Sequence, residues 1–157
     1  MLVQLNRSTG AGRDFSATAI DLPLNPASLP AGAGPRPVVA ILGPAGRVAG
    51  LAQHLPAGWS VRSAGDLDDV EPDELVLFAG AAVRDIALAR RLLPGRTQVI
   101  ALVDDAAPAE VVAGVLTAGA DACVRGGQPA ILASHLVACR RRQLAGRWAQ
   151  LNHQDRR

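Results

Sequence analysis

The chain has 157 residues, 49% of them hydrophobic, and a formal net charge of +2. That length holds one domain with tails, and so small a charge argues against a nucleic-acid-binding domain. No apolar run approaches the roughly 18 residues that a membrane span requires.

With two Phe, two Trp and no Tyr, the core has to come from Ala, Val, Leu and Ile, which suits helices packed on a parallel sheet. All 16 basic residues are arginine and lysine is absent. Cys123 and Cys139 have no framework spacing and read as reduced, buried thiols. Met1 to Gly12 lacks the basic-then-apolar order of a secretory signal, so the expected location is the cytoplasm.

Residues 1–36 are rich in Gly, Pro, Ser and Ala, with Pro23, Pro26, Pro30 and Pro35 punctuating them. Such a segment buries too little apolar surface to offset its ordering entropy and reads as a flexible arm. The short alternations Leu2–Leu5 and Ala19–Leu22 are its best strand candidates. Val38–Leu42 is a continuous apolar run, as in a strand buried on both faces. Arg47–Leu55 carries Val48, Leu51, Ala52 and Leu55 at helical spacing, and Pro56 and Gly58 stop it. Trp59–Ser63 alternates as a second strand. The acidic stretch 65–73 leaves room only for a turn. Glu74–Ala79 is a third strand.

Ala82–Leu93 is predicted as an amphipathic helix with Val83, Ile86, Ala89, Leu92 and Leu93 facing inward. Gln98–Val103 is a fourth strand. Pro108–Ala118 is a helix opening on proline, and Ala122–Val124 is a short fifth strand. A final helix from Pro129 to about Ala145 places Ile131, Leu132, His135, Leu136 and Cys139 on one face. Residues 147–157 read as a tail. Alternating strands and helices imply βαβ units and right-handed crossovers. The expected fold is therefore α/β: a flavodoxin-like, doubly wound, five-stranded parallel sheet of order 2-1-3-4-5, with its second helix shortened.

The stretch QVIALVDDAAPAEVVAGVLTAGADACVRGG, followed by a helix reaching Arg140-Arg141-Arg142, resembles the last third of a response-regulator receiver domain. Ala118-Gly119-Ala120-Asp121 matches the way that family enters its fifth strand. The resemblance spans residues 37–146. It implies a phosphorylation site at the carboxyl ends of the strands, yet the matching positions are chemically empty. Leu42 and Gly43 stand where the family has its acidic pair, and Ala79 stands for the phosphoacceptor aspartate. Val103 replaces the switch Ser or Thr, Cys123 the aromatic switch residue, and Gly126 (or Arg125, one residue away) the lysine. Acyl-phosphate chemistry needs a carboxylate nucleophile, and a divalent cation needs neighbouring oxygen ligands. The resemblance thus implies a degenerate, non-catalytic pseudo-receiver that needs no cofactor or metal.

Such a module is expected to act by contact with a protein partner or with a second copy, in signalling or transcriptional control. The face made by the helix 108–118, the fifth strand and the final helix is the one receivers commonly pair through. Its candidates are Glu110, Thr117, Arg125, His135, Arg140 and Arg141. Too few residues follow Arg142 for a helix-turn-helix, so sequence-specific DNA binding is not expected.

Other patterns carry second readings. Gly43 to Gly50 lies between a strand and a helix, where α/β folds bind phosphates. With Gly46, Asp66 and Asp104 near it, this turn is the alternative site for a nucleotide or small ligand, although its spacing is not G-x-G-x-x-G. The other reading is a tight turn. Cys123, His135 and Cys139 are ligand types that zinc accepts, but without a fourth ligand they read as two buried thiols and a histidine. Asp104-Asp105 suit the turn into the following helix. Asp66, Asp68, Asp69, Glu71, Asp73 and Glu74 read as a solvated loop or a dock for a basic partner.

Overall fold

A computed structural model of the chain describes residues 36–154. The predicted arm therefore lies, but for Arg36, outside the described residues, as do its two strand candidates.

Five strands form one parallel sheet: β1 (Val38–Leu42), β2 (Ser60–Ala64), β3 (Leu75–Ala79), β4 (Val99–Val103) and β5 (Ala122–Arg125). Their order is β2-β1-β3-β4-β5, the doubly wound flavodoxin-like arrangement expected from the sequence. Register follows the apolar runs. Val39 lies beside Val61 and Leu75, Phe78 beside Ala101, and Ile100 beside Ala122. The side-chain period of two splits each strand between two cores. Val39, Ile41, Leu75, Leu77, Ile100 and Leu102 face one layer, and Ala40, Leu42, Val76, Val99, Ala101 and Val103 face the other.

Four helices cover the sheet: α1 (Leu51–His54), α2 (Val83–Leu92), α3 (Ala109–Thr117) and α4 (Pro129–Gln154). The first core is closed by Leu51 of α1 and by Leu132, Leu136 and Cys139 of α4. The second is closed by Ile86 and Ala89 of α2 and Val115 of α3. The Asp85 carboxylate accepts a hydrogen bond from the Ala82 N–H at 3.1 Å, which secures the first turn of α2.

The predicted helix 47–55 is instead two single turns, a 3-10 turn at Ala45–Val48 and α1. Gly50 between them sits at φ +81°, in the left-handed region that an α-helix cannot contain. The final helix is longer than expected, 26 residues, and runs through Arg147 and Trp148, which the sequence placed in a tail. On α2, Val83 and Leu92 are exposed rather than inward. The chain between β2 and β3 forms turns, not a helix. No helix there covers Phe78 of β3 or Leu88 of α2, and a depression of about 300 Å³ opens between them and Asp66. Among the described residues, no helix is long and apolar enough to cross a membrane.

Candidate functional site

In doubly wound folds, ligands bind outside the carboxyl ends of the strands. Here that edge is built from small and apolar residues. Leu42, Ala79 and Val103 end their strands buried in the core. Gly43 follows β1 at φ +97°, and a Cβ there would stand 2.7 Å from the Ala79 carbonyl oxygen. A carboxylate at this position is therefore barred by backbone packing as well as absent. Gly126, after β5, takes φ +70°, and a Cβ on it would lie 3.0 Å from the Asp105 carboxylate.

Across this edge runs an ion pair. Arg47 leaves the 3-10 turn after β1, passes over Gly80 and meets the Asp104 carboxylate beyond β4. Gly80 takes φ +93°, in the left-handed region that favours glycine, and the Arg47 guanidinium lies close over it. Below the pair is a depression of about 180 Å³ lined by Ala81, Val103, Pro108 and Val111. Both partners are solvated, so the pair contributes little stability, about 0–1 kcal/mol. It does place a cation and its counter-ion across the strand ends.

The alternative ligand residues separate. Gly46 has open space around it, and Gly43 is closely packed. The Asp66 carboxylate accepts hydrogen bonds from the N–H groups of Asp68 (2.9 Å) and Asp69 (3.2 Å), closing its own turn. Asp66 lines the 300 Å³ depression beside α2, and Asp104 lines the 180 Å³ one beside α3. The turn after β1 offers only single helical turns, too short to sum a useful dipole.

Of the predicted contact residues, Glu110, Thr117, Arg125, His135 and Arg141 are exposed on α3, β5 and α4. His135 and Ile131, grouped by the helix pattern with Leu132, Leu136 and Cys139, are exposed while those three are buried. Between Arg125 and Ile131 lies a broad depression of about 610 Å³. Arg140 does not belong to this face. It is 7% exposed and turns inward, donating to the Asp73 carbonyl (3.0 Å) and to Gln143 Oε1 (2.6 Å). Burial lowers its pKa, with Asp73 opposing that shift and Arg147 adding to it.

The two cysteines sit in different cores, Cys139 under α4 and Cys123 under α3. The sheet separates them, so they do not form a ligand set with His135. Burial pushes both thiols up in pKa, opposed by Arg125 at Cys123 and by Arg142 at Cys139. Among the described residues, no three His, Cys, Asp or Glu side chains gather to hold a metal.

Two charge networks were missed from sequence. Glu74 is 5% exposed, and both its carboxylate oxygens accept from Arg62 of β2, at 2.8 and 2.6 Å. Arg62 also donates to the Asp69 carbonyl, and the Glu71 N–H donates to Glu74. This half-buried pair anchors the acidic loop, while Asp66, Asp68, Asp69 and Glu71 remain exposed. Arg90 of α2 likewise pairs with Asp121 and donates to the Thr97 carbonyl, tying α2 to the start of β5. The available signal for the first network was a charged residue opening a buried strand opposite an arginine in an alternating one.

Comparison with protein-family models, curated proteins and solved structures returns no match to this chain.

Proposed function

We propose that this chain is a receiver-like regulatory module without phosphorylation chemistry, acting by protein–protein contact. It pairs with a second copy or serves as an adaptor for another protein in signalling or transcriptional control. The observation that carries the reading is the carboxyl edge. Gly43 packs on the Ala79 carbonyl where an acidic pair would be needed, and Arg47 and Asp104 span the strand ends. The scaffold is kept while its usual chemistry is excluded by residue type and by space.

The contact surface is the α3–β5–α4 face. It offers Glu110 opposite in sign to Arg125 and Arg141, and two exposed apolar residues, Leu116 and Ile131. Mixed charge around apolar residues suits a self-complementary pair, in which each side supplies what the other lacks. The triple variant Glu110→Arg, Arg125→Glu, Arg141→Glu changes only exposed positions. Sedimentation velocity should show association weakened at least tenfold with an unchanged circular dichroism spectrum. Association as tight as in the wild type would overturn the assignment of this face.

A further inference from the structure

At the opposite, amino-terminal edge of the sheet lies a cleft of about 220 Å³ between the loop that enters β4 and the distal half of α4. Its walls carry three guanidinium groups, Arg96, Arg142 and Arg147, and three side-chain amides, Gln98, Gln143 and Gln150. Among the described residues, no carboxylate lines it. We propose that this cleft is a binding site for a small oxyanion of the phosphate-monoester class.

Three observations converge on it. The positive charge is under-compensated. Arg142 donates to the Asp121 carbonyl (3.4 Å) and the Cys139 sulfur (3.0 Å), neither of them anionic. Arg147 meets one Asp73 oxygen, from outside the cleft, at 3.4 Å. Asp121 is already engaged by Arg90, and Arg96 has no ion-pair partner among the described residues. Next, Gln143 is 4% exposed and its Oε1 accepts from Arg140, yet its Nε2 donates to nothing among the described residues. Asp73 Oδ1 and Arg140 Nε are also buried without partners among the described residues, so Gln143, Arg140 and Asp73 form an incompletely paired polar cluster behind the Gln143 side of the cleft. Finally, an exposed glycine forms part of the cleft wall. Gly146 sits inside α4, where glycine is less favourable than alanine. A Cβ there would meet nothing within 4 Å, so close packing does not require it.

The volume suits a small ligand. It falls below the roughly 300 Å³ at which drug-sized pockets begin, and guanidinium groups match phosphate oxygens in geometry as well as charge. A bound anion would bridge α4 to the loop before β4. It lies at the opposite edge from the strand ends where phosphorylation was excluded, and it does not depend on which face makes protein contacts.

The test is isothermal titration of the full chain with inorganic phosphate and with glycerol 3-phosphate, against sodium chloride at matched ionic strength. Saturable binding of both phosphates, absent with chloride, is expected. The Arg96→Ala and Arg147→Ala variants should each weaken it at least tenfold, while Arg84→Ala at the exposed start of α2 leaves it unchanged. Gly146→Glu delivers a carboxylate into the open space. It should abolish phosphate binding while raising the melting temperature, a gain that a misfolded variant would not show. No saturable binding, equal response to chloride, or unchanged binding in Gly146→Glu would each overturn the proposal.

Discussion

Glu74 shows how one buried charge organises a loop. Burial pushes its carboxyl up, but the hydrogen bonds from Arg62 and from the Glu71 N–H outweigh that and hold it below its ordinary value of 4.5. The folded state therefore favours the ionised form. Its contribution is complete above the unfolded value and is lost as pH falls through the lower folded value. Replacing Glu74 by Gln should cost about 2 kcal/mol at neutral pH, as expected for a charge-assisted bond. The variant should also lose less stability than the wild type when urea unfolding is repeated at progressively lower pH below about 5. A parallel pH dependence would contradict this role. The residue scale is also where sequence reading was least complete. The receiver resemblance puts Arg140 on the pairing face, but helical spacing turns it inward while Arg141 and Arg142 stay exposed. Gly43 was legible as a missing acid, whereas its closeness to the Ala79 carbonyl requires coordinates.

Among the elements, the strands were readable because each is a short apolar run bounded by turn residues, and parallel strands buried on both faces need nothing more. The helix after β1 was misread. Its apolar spacing suits a helix, but Gly50 at φ +81° outweighs the pattern. α4 exposes the reverse error. Its inward face ends with Gln143, yet the helix continues to Gln154 with Leu144, Trp148 and Leu151 exposed. Most helical stability comes from tertiary packing, so the two halves should differ. Hydrogen exchange is expected to be slow for amides between Leu132 and Gln143 and faster by a factor of ten or more beyond Gly146. Uniform protection along α4 would show that the distal half is packed against something. Saturating phosphate should slow exchange in the distal half, since the cleft bridges it to the loop before β4.

For the whole molecule, the architecture divides its two edges. The carboxyl edge, where the resemblance puts phosphorylation, is filled by Gly43, Ala79 and the Arg47–Asp104 pair. The amino edge holds a cleft lined by Arg96, Arg142 and Arg147. Sequence made the first legible, since loss of acidic residues and lysine is visible by alignment to a receiver pattern. It hid the second, because Arg96 and Arg147 are brought together only when α4 runs back along the sheet. The function proposed for this molecule is contact with a protein partner or a second copy. The most direct test of that claim is native mass spectrometry of the protein purified gently from its own host. The account predicts a mass at a whole-number multiple of the chain, or the chain together with a second protein. A single chain with no protein partner across the working concentration range would contradict it.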